Sequence, residues 1–202
     1  MEKKLDFRHF NNMGYQKDDS LLNVKWSGNL SDSEKIYYYI KLEDLVRTIK
    51  EKKFLVELKQ FGGIGKLAFP GGDSPQRREK INVCISSWLQ EECDNLQESD
   101  CCRIETTIRN LLESLDFSKV KALIYPVSYV DVYTFPQNYQ QLLFRKKKGE
   151  QDVQELQLCV LNQQENIYLP IKDLSKFLGN IRVVRGMAAV DIEKLTETVL
   201  GQ

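Results

Sequence analysis

Glu155 is the carboxylate best placed to do chemistry. It stands in Val153-Gln154-Glu155-Leu156-Gln157-Leu158-Cys159, where alternation sets it on one strand face with Val153 and Gln157. The other face, with Gln154, Leu156 and Leu158, is the more apolar. Two readings follow: a solvent-facing strand carboxylate, or a carboxylate presented from a rigid strand toward a cleft, as catalysis favours. Arg145-Lys146-Lys147-Lys148 is the densest basic run and reads as a solvated turn or as a phosphate or nucleic-acid contact. Ser86-Ser87-Trp88 ends a strand and runs into Glu91-Glu92. Its serines lack a second histidine to activate them, so nucleophilic catalysis is weakly supported, and Trp88 reads as core. Glu91 and Glu92 are the acidic candidates for Mg²⁺ in a nuclease reading. Gly62-Gly63-Ile64-Gly65-Lys66 invites a phosphate-loop reading, but Gln60 and Leu67 stand where glycine and a hydroxyl are needed. It reads as a flexible loop whose glycines let backbone approach a ligand.

Composition removes several function classes. His9 is the single histidine, which excludes a multi-His metal site and a facial triad, and a Ser-His-Asp triad unless it uses His9. Lys plus Arg and Asp plus Glu both number 29, so no global field draws the chain to nucleic acid or anionic lipid. Cys84, Cys93, Cys101, Cys102 and Cys159 are odd in number and unevenly spaced. That suits structural thiols better than a disulfide framework or a zinc site. No apolar run is long enough for a membrane span, and the charged start, Met1-Glu2-Lys3-Lys4-Leu5-Asp6, points to the cytosol.

The elements that position these residues are legible as an irregular N-terminal arm, 1–34, followed by a single α+β domain, 35–202. Trp26 is expected to anchor the arm. Strands are expected at 36–40, 54–58, 81–88, 102–106, 122–130 (with Pro126 at an edge or bulge), 153–161, 167–169 and 181–184. Helices are expected over 42–50, around 108–115, over 139–144, at 174–178 ended by Gly179, and in the tail at 191–200. Mixed elements without regular β-α alternation predict an α+β fold, with a mainly antiparallel sheet and flanking helices.

Several segments together resemble a known pattern. Tyr38-Tyr39 ahead of Leu42-Glu43-Asp44-Leu45 resembles an opening strand with His or Tyr before Tyr. Val83-Cys84-Ile85-Ser86-Ser87-Trp88 with Glu91-Glu92 resembles a block with Cys, Ser, Trp and paired Glu. Leu143-Phe144-Arg145-Lys146-Lys147 with Val153 to Leu158 resembles a late Phe-Lys and Glu block, and Ile181-Arg182-Val183-Val184 its closing strand. Their order is similar to that of the bacterial family called domain of unknown function 2971, over most of residues 35–200. The chain departs from that pattern. Phe69-Pro70-Gly71-Gly72-Asp73 replaces an Asn-Asp-Pro loop, and a Met-Trp segment after the Trp block is missing. Val153 and Gln157 replace a Glu and an Arg beside Glu155.

The resemblance implies a layout like that of ADP-ribosyltransferase-type folds, with NAD as cofactor. Tyr38 or Tyr39 would pack on nicotinamide, Ser86 or Ser87 would position ribose, and Glu155 would steer the ribose hydroxyl and stabilise an oxocarbenium-like transition state. This is analogy at the level of fold. The resemblance also implies a setting in bacterial conflict and phage defence. Three functions stay open: a non-catalytic domain that binds a protein partner, an NAD-using transferase or hydrolase, and a nucleic-acid-binding or nuclease domain using Arg145 to Lys148.

Overall fold

A computed structural model describes residues 4–10, 23–62, 80–92, 101–131, 138–149 and 154–183. Cys93, the glycine-rich segment beyond Gly62, Val153, Val184 and the expected tail helix lie outside the described residues. After a short 3-10 helix at Phe7–Phe10, the chain forms β1 (Val24–Trp26), β2 (Lys35–Lys41), α1 (Leu42–Glu51), β3 (Lys53–Gly62) and β4 (Lys80–Leu89). It continues through β5 (Cys101–Thr107), α2 (Ile108–Ser114), β6 (Ala122–Pro126), β7 (Ser128–Val130), α3 (Tyr139–Phe144) and β8 (Arg145–Lys147). It ends with β9 (Glu155–Leu161), β10 (Ile167–Pro170), α4 (Leu174–Leu178) and β11 (Asn180–Val183). The fold is α+β. Of the strand pairs with a described register, all are antiparallel except β1 with β6 and β7 with β8.

The chain divides into two compact units. The first takes Met1–Asn29, Val56–Ser86 and Val120–Ile167; the second takes Leu30–Leu55, Ser87–Lys119 and Tyr168–Gln202. In the first, hydrogen-bonded neighbours run β1, β6, β9, β4 and β3. Its core gathers Ile81, Val83 and Ile85 of β4 with Leu123, Cys159, Leu161, Leu143 and Phe144. Leu5 and Phe10 belong to this core as well, and Trp26 is buried in β1. The described part of the expected arm thus carries a strand and two core side chains. Local polarity hid this because each anchor is flanked by polar residues, and only pairing with β6 makes Val24–Trp26 a strand. The expected strand 122–130 is split by Val127. Pro126 falls beyond the three residues that β1 pairs, so its missing N–H leaves no gap in that ladder.

In the second unit β5 lies between β2 and β11, and Leu89 at the end of β4 pairs Tyr37 of β2. One face of this sheet carries Ile36, Ile40, Cys102 and Ile104, all buried. Helix α1 buries Leu45 and Ile49 at helical spacing, and Glu43 and Asp44 favour its first turn. Lys52, at φ 50, closes α1 in the left-handed region. Thr107 caps α2 by accepting from the Asn110 N–H at 3.2 Å, and Asp173 caps α4 by accepting from the Lys176 N–H at 3.0 Å.

Candidate functional site

The Glu155 cluster belongs to the first unit and is built by three strands and a helix. Asn138 caps α3 by accepting from the Gln141 N–H at 2.8 Å, and buried Leu143 and Phe144 pin the helix down. The chain passes straight from α3 into β8, which runs parallel to β7 with Tyr129 opposite Lys146. Residues directly opposed across a strand pair share a face, so this register sets a phenol and an ammonium side by side. Glu155 opens β9, and its carbonyl accepts from the Val127 N–H at 2.7 Å, holding it beside the start of β7. The Lys146 ammonium reaches both Glu155 oxygens at 2.7 Å. The Tyr129 hydroxyl donates to Glu155 Oε2, also at 2.7 Å.

Gln157 completes the group. Its amide oxygen accepts from Lys146 Nζ at 3.2 Å, and its nitrogen donates to the Leu143 carbonyl at 2.7 Å. The opposite amide orientation would aim an N–H at the ammonium and gain only a 3.3 Å contact to Glu155 Oε1, so the first orientation is the sound one. Burial, followed by the bond to Glu155, pushes the Tyr129 hydroxyl well above the ordinary phenol range. It is a donor here and no base near neutral pH.

The solvent-facing reading of Glu155 is therefore corrected. Every residue of β9 is buried, because β9 has neighbours on both edges and side chains over both faces. A carboxylate in such a place must be paired. Its side chain is 8% exposed, whereas that of Lys146 is 43% exposed. The lysine stem lies inward and its head meets both water and carboxylate. Lys146→Met keeps the stem and removes the charge. It is expected to destabilise the first unit by about 2 kcal/mol, below the 3–5 kcal/mol typical of a fully buried pair because water reaches this ammonium. Hydrogen exchange of the β9 amides measures this, with Lys146→Arg as the control that retains protection.

The other cations of the run point elsewhere. Arg145 is half-buried, and Lys147 and Lys148 are exposed. Lys148 Nζ lies 4.0 Å from Asp131. Arg145–Lys147 form a short strand where a solvated turn was one of the two readings, and Lys148 follows it. Alternation turns Lys147 away from Lys146, and the Lys146 head is taken by Glu155.

Alternation also separates the two paired candidates. Ser86 is buried and its Oγ has no hydrogen-bond partner among the described residues, whereas Ser87 is exposed on the other face of β4. Tyr38 faces the core of the second unit, its ring 4.9 Å from Trp88 and 5.3 Å from Phe54. Tyr39 lies on the opposite face, in register with Arg103. Ser86 and Glu155 fall in the first unit, and Tyr38, Tyr39 and Ser87 in the second. The Asp6 N–H donates to His9 Nδ1 at 3.0 Å, and the His9 ring packs edge to face with Tyr139. Cys84, Cys101, Cys102 and Cys159 are buried. Burial pushes Cys84 up to about 11 and raises Cys159 further, so both are protonated and unreactive near neutral pH.

A second polar group, in the second unit, escaped the sequence reading. Arg103 on β5 is 3% exposed and pairs through Nη1 with Glu92. Its Nη2 lies 3.8 Å from Glu105 Oε2. The guanidinium sits over the Tyr37 ring at 5.4 Å. Among the described residues, its Nε and Nη2 are buried without a hydrogen-bond partner. Lys35 takes the other side of Glu105 at 2.6 Å and, with Arg103, holds that carboxyl below its ordinary range. Glu92, a candidate for Mg²⁺, is thus engaged by an arginine. Among the described residues no three His, Cys, Asp or Glu side chains are grouped to hold a metal. The only signal in the sequence was the alternation of Cys102-Arg103-Ile104-Glu105, which sets two opposite charges on one face.

No family model, no curated protein and no solved structure matches the chain. Among the described residues no helix is long and apolar enough to cross a membrane.

Proposed function

We propose that the chain is a binding domain that acts on a protein partner without catalysing glycosyl transfer from NAD. One observation carries this reading. Both oxygens of Glu155 are engaged, by the Lys146 ammonium and the Tyr129 hydroxyl. A transferase carboxylate of the kind the resemblance implies must aim an oxygen at ribose and offer negative potential to an oxocarbenium-like centre. A carboxylate held at 2.7 Å by an ammonium offers little of either, because the pair is nearly neutral to a third charge. Val153 and Gln157, in place of the Glu and Arg of the resembled pattern, support the same reading. The packing of the Tyr38 ring on Trp88 and Phe54 supports it as well, since a ring engaged in a core is not offered to a nicotinamide.

The test is nicotinamide release from millimolar NAD by the purified chain and by Glu155→Gln. Release by both is expected to stay at the protein-free rate. Release above that rate, lost in Glu155→Gln, would overturn the proposal in favour of the ADP-ribosyltransferase-like enzyme. Within the proposed reading, the conflict and phage-defence setting that the resemblance implies supplies the context in which a partner would be sought.

A further inference from the structure

Arg103 and Arg182 stand directly opposite each other across the antiparallel pair of β5 and β11. Side chains so opposed share a face with their Cβ atoms about 5 Å apart, and like charges in that position repel. Arg182 is exposed, and Arg103 is buried. Glu105 moderates the repulsion, but its carboxylate is shared with Lys35 at 2.6 Å and stands 3.8 Å from Arg103. Glu92 meets the Arg103 guanidinium at Nη1 alone. Among the described residues, two further nitrogens, Nε and Nη2, are buried without an acceptor. Desolvated donors of a charged group are costly to leave unmatched. Among the described residues, Lys35, Arg103 and Arg182 thus face Glu92 and Glu105, and removing Glu92 leaves two of these positive charges uncompensated.

We propose that Arg103 and Arg182 form a binding site for a phosphate group, and that Glu92 holds the site closed by occupying Arg103 in place of that ligand. Glu92 is the movable member: its side chain is 43% exposed, against 4% for Arg103. An incoming phosphate displaces the Glu92 carboxylate from Nη1, takes Nη2 with a second oxygen, and reaches Arg182 with a third. A carboxylate would not do this, because it carries one charge and two oxygens, whereas a phosphate carries nearly two charges and three terminal oxygens. The inference goes beyond the proposed binding function and does not depend on it, since neither NAD nor a protein partner enters the argument.

The experiment is calorimetric titration of the whole chain with sodium phosphate near neutral pH, against sodium chloride of equal ionic strength. Glu92→Gln is expected to bind phosphate about tenfold more tightly than the wild type, because the competing charge is gone. Arg182→Gln added to Glu92→Gln is expected to lose about tenfold. Arg182 is exposed, so this variant leaves the core intact, and circular dichroism checks that both variants are folded. Phosphoserine titrated into Glu92→Gln then separates the two sources of the group. Tighter binding than inorganic phosphate assigns a phosphate ester, and weaker binding assigns the free anion. Phosphate heats no larger than those of chloride in Glu92→Gln, or an affinity indifferent to Arg182, would overturn the proposal.

Discussion

Gly179→Ala is expected to destabilise the second unit by about 4 kcal/mol, from backbone strain and a main-chain clash together. Gly179 ends α4, and its N–H donates to the Ser175 carbonyl at 2.9 Å. Its φ of 51 with ψ of −102 lies outside the left-handed well that Asn or Asp tolerates. Space is also lacking: a Cβ built there falls 2.2 Å from the Glu105 carbonyl oxygen and 3.3 Å from Thr106 Cα. These are main-chain atoms of β5, which is paired on one side to β2 and on the other to β11. The carbonyl cannot retreat without loosening a ladder. Urea unfolding followed by Trp88 emission in a Trp26→Phe background reads the second unit separately. The midpoint should fall with the slope nearly unchanged. A loss below about 1 kcal/mol would mean that the turn after α4 rotates to accept the methyl at little cost. Because Glu105 and Arg103 sit on the same strand, this variant should also weaken any ligand held by Arg103.

Phe177→Ala is expected to cost a similar amount, about 3–5 kcal/mol, as aromatic truncations in a closed core do. Phe177 is fully buried. Its ring lies 5.1 Å from Phe54 and 6.3 Å, edge to face, from Trp88. Trp88 in turn lies 4.9 Å from Tyr38. The four rings come from β2, β3, β4 and α4, so removing one opens a void that no single element can collapse into. The same unfolding experiment applies, and Trp88 emission in the folded protein should shift as its packing loosens. Phe177→Leu should recover more than half of the loss, because it restores most of the volume. If Phe177→Ala instead cost under about 1 kcal/mol, the cluster would not be a close-packed core. Its Tyr38 ring would then be mobile enough to stack on a ligand, as the resemblance to transferase-type folds implies.

Much of the local structure is written in short-range pattern. The spacing of Leu42, Leu45, Val46 and Ile49 marks α1, and Gly179 marks the end of α4. The alternation around Val83 marks β4, and the mixed order of strands and helices marks the α+β class. Glu155 stood out because a lone carboxylate alternates with leucines. Polar flanks misled where pairing partners were distant. Val24–Trp26 became a strand only by joining β6, and Leu5 and Phe10 became core only against distant residues of β4, β6, α3 and β9.

The two polar groups show the division most clearly. Residue types and strand period determined which side chains share a face with their own neighbours, and therefore that Glu155 and Gln157 go together and that Arg103 and Glu105 go together. Which side chains meet across strands was decided by register, and register is a property of pairing between distant segments. A one-residue slip of β8 on β7 would turn Lys146 away from Tyr129. A slip of β11 on β5 would replace the Arg103–Arg182 opposition with an apolar neighbour, Ile181 or Val183. The run Arg145 to Lys148 looked like a solvated basic patch because nothing within it names Glu155. Arg103 looked like an ordinary strand residue because nothing near it names Arg182. Only the tertiary structure, by burying a carboxylate that then had to be paired and by opposing two arginines that repel, decided which of these charges are engaged and, among the described residues, which donors lack an acceptor.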